Sequence, residues 1–220
     1  MTPTFRRAAL CTLLASSLIS LSACIPLVPL MVGGAVVGGG MLATDRRTSG
    51  SVLEDEGIEL RSASRIRENI GERVHVNVTS YNRQVLLTGE VPSAQDKQLV
   101  EKIVSGVDNV RNIVNDLAVM GNSTFTQRSS DVLVASRVKA ALVDAKDLFA
   151  NSFKVTVERG TAYVMGRVTP REATRATEVI SAVPGVQKLV RILETISEDE
   201  LARTLPQAPP KTQTQPNVKN

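Results

Sequence analysis

The chain of 220 residues contains no tryptophan, one histidine and two cysteines, and aromatic residues make up only 3% of it. So few imidazoles and thiols leave no His/Cys cluster of the kind that builds metal centres and nucleophile–base pairs. The single histidine, His75, falls on the outward set of an alternating strand, where we expect a solvated polar side chain. Few aromatic rings also remove the stacking platforms that nucleic-acid binding uses. The sequence therefore predicts a non-enzymatic protein with no cofactor, no metal site and no nucleic-acid partner.

Both cysteines lie near the start of the chain, and one of them marks a processing site. Residues 1–23 combine Arg6 and Arg7 with an apolar stretch and end in small residues, which is the pattern of an export signal. The four residues "LSAC" that end at Cys24 resemble the bacterial lipobox, in which the cysteine thiol is diacylated and becomes the mature N-terminus. We therefore predict that residues 1–23 are a lipoprotein signal peptide and that Cys24 is the lipid attachment site. A buried cysteine behind an ordinary signal is the alternative.

Cleavage of the signal also removes Cys11, so the mature chain has no partner with which Cys24 forms an intrachain disulfide. Two acyl chains anchor a protein stably, whereas one gives only marginal membrane binding. Residue 25 is Ile, and by resemblance to enterobacterial lipoproteins the absence of Asp there favours the outer membrane.

An uncharged stretch, residues 25–43, follows the cysteine and approaches the roughly 20 residues that span a bilayer. Two prolines and five glycines disfavour a helix in water. We predict that residues 24–50 form a lipidated, Gly/Val-rich tether that lies at or near the bilayer surface. A second membrane span is the competing interpretation.

From about residue 50 the chain repeats itself, which indicates two copies of one small domain. "VLLTGEVPSAQ" in the first copy matches "AYVMGRVTPRE" in the second, with Gly89 opposite Gly166. In each copy a helical period gives way to strand alternation, a turn, a second strand, a capped helix and a last strand. The order αββαβ predicts an α+β fold in which two helices pack on one face of a small mixed sheet.

The predicted boundaries are residues 51–120 for the first domain, 121–130 for a linker and 131–196 for the second domain. Residues 197–220 are rich in Pro and Gln, and we expect this tail to be disordered. A domain of about 60 residues buries only about 60% of its unfolded surface. We therefore expect the two copies to pack against each other.

The strand-Gly-x-Val unit, the capped helix and the segments "GVDNVRNIVNDL" and "VPGVQKLVRIL" resemble the BON domain. The whole plan of lipobox, tether, two copies and polar tail resembles the dual BON-domain outer-membrane lipoproteins, which are associated with envelope integrity and cell division in Gram-negative bacteria. The resemblance implies a lipid-anchored protein that faces the periplasm and binds anionic phospholipid.

Charge is divided unevenly between the copies. Residues 51–120 hold 8 basic and 11 acidic residues, a net charge of −3, whereas residues 128–196 hold 11 and 7, a net charge of +4. Each cation near an anionic leaflet contributes about 1 kcal/mol of attraction. The second copy is therefore the one that suits a phospholipid surface.

The first helix of the second copy, predicted over residues 131–146, carries an outward face that is unusually apolar and also basic. We predict that this face binds phospholipid through Val132, Leu133, Ser136, Arg137, Lys139, Ala140 and Val143. The equivalent arc of the first copy (Arg61, Ser64, Arg65, Glu68, Glu72) is wholly polar. No aromatic residue falls on the predicted helix, so we expect weak, charge-dependent binding that relies on the Cys24 anchor.

The competing interpretation is that this apolar face packs on the first copy or on a protein partner, as exposed apolar patches also do. The protein would then be a periplasmic adaptor that docks on an envelope-assembly or cell-wall-remodelling protein. The residues leave the headgroup preference, the partner and the oligomeric state open.

Overall fold

The computed structural model describes residues 45–204. The predicted signal peptide, Cys24, the tether up to residue 44 and the tail from residue 205 lie outside the described residues. The first domain contains α1 (Ser49–Ile70), β1 (His75–Tyr81), β2 (Gln84–Val91), α2 (Ala94–Ser105), β3 (Asn112–Asn115) and β4 (Ala118–Val119). The second contains α3 (Phe125–Asp144), β5 (Phe153–Glu158), β6 (Thr161–Val168), α4 (Pro170–Ser181) and β7 (Lys188–Thr195), followed by α5 (Glu198–Thr204).

Each domain has one mixed sheet with its second strand in the centre. In the first sheet β2 pairs antiparallel with β1 and parallel with β3 and β4. In the second sheet β6 pairs antiparallel with β5 and parallel with β7. The αββαβ order and the small mixed sheets that the sequence predicts are confirmed in both copies.

Alternation along the strands sends one set of side chains to the helices and the other set to the opposite side of the sheet. Val85, Leu87 and Val91 join the helix-side core of the first domain, and Val155 and Val164 join that of the second. The opposite sides of the two sheets meet in a third cluster, formed by Tyr81, Leu86, Tyr163, Met165 and Ile192. The domains therefore pack sheet against sheet, which confirms the expectation that two such small domains associate.

Steric crowding explains why both copies have a glycine at the same position of the central strand. Gly89 has a φ of +112°, and a Cβ atom there would lie 2.1 Å from the carbonyl oxygen of His75. A Cβ atom on Gly166 would lie 2.6 Å from the carbonyl oxygen of Ser152. Any side chain at either position would force the neighbouring backbone away from the central strand.

A buried aspartate near the start of the first helix of each domain holds the hairpin between the first two strands. Each carboxylate accepts two turn N–H groups: Asp55 from Asn82 and Arg83, both at 2.8 Å, and Asp131 from Arg159 at 2.8 Å and Gly160 at 2.9 Å. Turn residues with positive φ point these N–H groups at the helix. The two aspartates thereby fix the position of α1 and α3 against their sheets.

The first helix of each domain begins at a cap that lies in a segment of polar composition. Thr48 caps α1, and Thr124 forms a reciprocal capping box with Gln127 at the start of α3. The helix that was predicted from residue 131 therefore begins at Phe125, inside the predicted linker.

The prediction of disorder was wrong for Glu198–Thr204, which form helix α5. Three acidic residues in its first turn suit the positive end of the helix dipole. Leu201 is buried, so this turn adds apolar contact that the polar composition of the tail conceals.

The prediction of a solvated His75 was also wrong. Its side chain is only 19% exposed and its Nδ1 lies 2.9 Å from Oε2 of Glu90. The alternation correctly places His75 on the side of the sheet away from the helices, but that side is covered by the second domain.

Candidate functional site

Helix α3 is fixed to the second domain by one side, which leaves the opposite side facing outward. Its buried residues are Asp131, Val134, Val138 and Leu142, of which the three apolar ones belong to the core of the second domain. Because Asp131 also binds the β5–β6 turn, the helix cannot rotate about its axis without losing those hydrogen bonds.

All seven residues predicted to bind phospholipid lie on α3 and are exposed. Val132, Leu133 and Val143 are 65%, 59% and 68% exposed, which is unusual for large apolar side chains. The alternative that this face packs on the first domain is therefore wrong. One flank, at Ser136 and Lys139, borders a groove whose other wall includes strand β1.

The structure adds an aromatic residue that the sequence analysis missed. Phe125 is the first residue of α3 and is 84% exposed. At about 100° per residue, Phe125, Val132, Ser136 and Val143 project within about 40° of one another. They form a stripe about 27 Å long from Phe125 to Val143. We call this stripe and the remaining predicted residues the outer face of α3. The Thr124–Gln127 capping box was the signal in the sequence that would have included Phe125.

Cations flank the stripe without being neutralised by neighbours. Arg137 makes a long hydrogen bond, 3.4 Å, to the carbonyl oxygen of Pro184. Neither Arg137 nor Lys139 forms an ion pair with any residue between 45 and 204. Both positive charges therefore remain available to an anionic surface.

The first-domain helix is less polar than the sequence analysis predicts. Leu53 and Leu60 on α1 are each more than 70% exposed and lie seven residues apart, on one side of the helix. Their neighbours include Glu56, which is exposed, and the domain as a whole is acidic. The two domains thus expose apolar residues in opposite electrostatic settings.

The segment before α1, residues 45–48, contacts both domains, and we call it the stem. Arg46 forms a buried bidentate ion pair with Glu172 at the start of α4, with N–O distances of 2.6 and 2.7 Å. Arg47 pairs with Asp55 of the first domain at 2.8 Å. Burial opposes ionisation of Glu172, but the hydrogen bonds from Arg46 and from the Thr169 N–H outweigh it and lower the pKa of Glu172. The chain that leads from Cys24 is therefore attached to the second domain.

Within residues 45–204 no helix combines the length and the hydropathy needed to cross a bilayer. The BON domain family model matches residues 55–121 and 130–195, which coincide with the two structural repeats.

Two curated relatives match most of the chain. The outer membrane lipoprotein DolP of Haemophilus influenzae is 32% identical over 166 residues, covering 73% of this chain and 86% of the relative. The 21 kDa hemolysin of Actinobacillus pleuropneumoniae is 27% identical over 154 residues, covering 69% and 79%. Among solved structures, CdsD of Chlamydia trachomatis aligns with 72% of this chain and 99% of its own at 13% identity, with a TM-score of 0.29.

The family model matches each of the two αββαβ repeats, which agrees with the two-copy plan of the sequence. The similarity to a lipoprotein of the outer membrane agrees with the lipobox. The protein is an outer-membrane lipoprotein with a role in the cell envelope, and it belongs to the family that carries two BON domains.

Proposed function

We propose that this protein is non-enzymatic and that the outer face of α3 binds anionic phospholipid, while lipidated Cys24 keeps the chain at the membrane. The observation that carries the proposal is the stripe from Phe125 to Val143, which is exposed, apolar and flanked by unpaired cations. An amphipathic helix of this kind lies in the headgroup region with its apolar side chains inserted.

Local concentration supports a weak contact of this kind. Only 21 residues separate Cys24 from Arg46, and Arg46 is attached to the second domain. A short tether converts the second binding event into an intramolecular one, with an effective concentration in the millimolar range. The outer face of α3 therefore meets lipid at far higher effective concentration than a free protein would.

Holding the second domain at the membrane surface gives the protein a means to support outer-membrane integrity. The resemblance that the sequence shows to division-associated lipoproteins adds the division site as a place of action. We propose both roles for this protein.

The test is co-sedimentation of the chain from residue 44 onward, which lacks Cys24, with vesicles of phosphatidylglycerol or cardiolipin in phosphatidylcholine. Binding should fall as salt rises, because surface attraction is screened over a Debye length of about 10 Å at 0.1 M. Lys139→Glu or Arg137→Glu should weaken binding by about thirtyfold, since each reversal changes the charge by two units and each unit contributes about 1 kcal/mol near an anionic leaflet.

Arg171→Glu is the matched control, because it makes the same change of charge on an exposed residue of α4. It should leave binding nearly unchanged. Equal losses in all three variants would mean that net charge alone drives binding. Equal binding to neutral and anionic vesicles would remove the electrostatic part of the proposal.

A second candidate function is that of a periplasmic adaptor, and Leu53 and Leu60 are the observation that favours it. Their acidic surroundings suit a basic, apolar segment of an envelope protein better than an anionic membrane. A photo-crosslinking residue at position 60 in cells should yield protein adducts, whereas one at position 143 should yield lipid adducts. Protein adducts at position 143 would favour the adaptor for the outer face of α3 as well.

A further inference from the structure

A group of ionisable side chains from both domains lies at one end of the interface between the two sheets. His75 on β1 and Glu90 on β2 come from the first domain, while Glu158 and Arg159 come from the end of β5 and the following turn. Glu90 and Glu158 are buried, and His75 is nearly so. We call these four residues the interface cluster.

Hydrogen bonds hold the two carboxylates of the cluster in fixed orientations. Oε1 of Glu90 accepts from Arg159 at 2.8 Å, and Oε2 lies 2.9 Å from Nδ1 of His75. Oε2 of Glu158 accepts from the side-chain amide of Asn77 at 2.7 Å. One ligand atom from each of His75, Glu90 and Glu158 lies within 4.8 Å of the other two.

The two buried carboxylates differ in their partners. Glu90 accepts hydrogen bonds from Arg159 and from the Ser123 N–H and lies beside His75. Glu158 accepts from the side-chain amide of Asn77 and forms no ion pair with a Lys or Arg within residues 45–204. Two buried carboxylates thus share one guanidinium, and such a pair suits a bound cation.

A buried hydroxyl beside the cluster makes no hydrogen bond with any described residue. Oγ1 of Thr88, a fully buried residue, has no partner within residues 45–204, and Thr88 stands opposite Asn77 on the paired strand. A buried hydroxyl without a partner is uncommon, and it points to a ligand or its water shell at this place. Ser123, which is also buried, donates its N–H to Oε2 of Glu90 at 3.1 Å.

The cluster is accessible from solvent through a groove. A groove of about 490 Å³ between β1, β5 and α3 is lined by His75, Asn77 and Glu158, and by Asp131 and Arg128 farther along. An ion can therefore reach the cluster without separation of the two domains.

We propose that His75, Glu90 and Glu158 bind one Zn²⁺ ion across the interface between the two domains. An imidazole nitrogen and two carboxylate oxygens are ligands that Zn²⁺ takes at about 2.0–2.2 Å. Ligand atoms on a tetrahedral ion lie about 3.4 Å apart, so side-chain shifts of about 1 Å close the site. The ion replaces the His75–Glu90 hydrogen bond and places positive charge beside the two buried carboxylates.

Arg159 and Asn77 support the site without binding the ion. Arg159 donates to Oε1 of Glu90, and Asn77 donates to Oε2 of Glu158, which is how neighbours of metal ligands orient them. Because the ligands come from both domains, bound Zn²⁺ cross-links the two sheets. This site is separate from the outer face of α3, so its test does not depend on lipid binding.

The test uses the lipid-modified protein purified in detergent without a metal-affinity tag and stripped with a chelator. Zn²⁺ is titrated in competition with a chromogenic chelator, and the imidazole signals of His75, the only histidine, are followed by NMR. One Zn²⁺ per chain should bind and shift both ring nitrogens of His75. His75→Gln and Glu158→Gln should each weaken binding by about tenfold or more.

Glu178→Gln is the matched control, because it removes an exposed carboxylate from the same domain. It should leave the affinity unchanged, and circular dichroism establishes that each variant folds. The proposal is overturned by the absence of stoichiometric binding, or by binding that neither site variant weakens. His75 signals that respond to pH but not to Zn²⁺ would overturn it too, because the cluster would then take up a proton only.

Discussion

Replacing Phe125 by Ser tests whether the apolar stripe on α3 enters lipid. Phe125 is 84% exposed in the protein alone, so its ring adds almost nothing to the packed core. The substitution should leave the free energy of unfolding within about 0.5 kcal/mol of the wild-type value, as surface changes usually do. Any effect on vesicle binding can then be assigned to the contact itself.

The expected loss follows from the area that the ring exposes. Full burial of a Phe side chain contributes about 1.5–3 kcal/mol. A ring at the headgroup boundary gains about half of this, or about 0.8–1.5 kcal/mol. Since 1.4 kcal/mol corresponds to tenfold in an equilibrium constant, the partition constant should fall by about four- to twelvefold.

The assay is co-sedimentation with vesicles that contain phosphatidylglycerol, at constant salt. Leu60→Ser is the matched control, because Leu60 is also a large apolar residue that is highly exposed, at 73%, on the first helix of the first domain. The account predicts that only Phe125→Ser weakens binding. Equal binding of wild type and Phe125→Ser, or a larger loss for Leu60→Ser, would refute insertion of the α3 stripe.

Two further predictions concern stability. Asp131→Ala should destabilise the protein by about 2–4 kcal/mol in urea denaturation, because two turn N–H groups lose their buried acceptor. Asp144→Ala, at the exposed end of the same helix, is the control and should change the free energy of unfolding little. Equal effects of the two substitutions would contradict the role of Asp131 in holding the hairpin. Arg46→Met should cost about 3 kcal/mol near pH 7, because it leaves the carboxylate of Glu172 buried and unpaired. Since the pKa of Glu172 is lowered in the folded protein, the stability it contributes is present above its ordinary pKa of 4.5 and is lost as the pH falls through the lowered value. The difference between wild type and Arg46→Met should therefore shrink below pH 4.5, and a difference that is constant with pH would contradict the ion pair.

The repeat made most of the fold predictable. Gly89 and Gly166 align because both central strands pass too close to a neighbouring carbonyl oxygen for a side chain. The alternation of apolar residues in the strands and their helical period in the helices then predicted the αββαβ order. A sheet that is covered by helices on one face needs that pattern of apolar residues. Small domain size was enough to predict that the two copies associate.

Features that depend on contacts between distant residues were less predictable. Asp55 binds the hairpin turn 27 residues away, a contact that no local pattern in the sequence indicates. His75 was assigned to solvent because alternation shows which side of a sheet a residue occupies but not what covers that side. Glu90 and Glu158 meet His75 only because the two sheets pack together, so no local pattern brings these three residues into one group.

The outer face of α3 was predicted in its chemistry but not in its extent. Seven exposed residues were identified from the helical period alone, and all seven are exposed. Phe125 was missed because the segment "GNSTFTQRSSD" has the polar composition of a linker, while its Thr124–Gln127 capping box starts the helix there. Leu53 and Leu60 were missed because the face of the first helix that was considered runs from Arg61 to Glu72 and does not include them.

The claim that the outer face of α3 contacts anionic phospholipid is tested most directly by paramagnetic relaxation in NMR spectra. The protein is bound to nanodiscs of phosphatidylglycerol and phosphatidylcholine in which a few lipids carry a paramagnetic headgroup. The account predicts that the amide signals of Phe125, Val132 and Val143 broaden most and that the signal of Leu60 is unaffected. Strongest broadening on α1, or equal broadening on all helices, would contradict it.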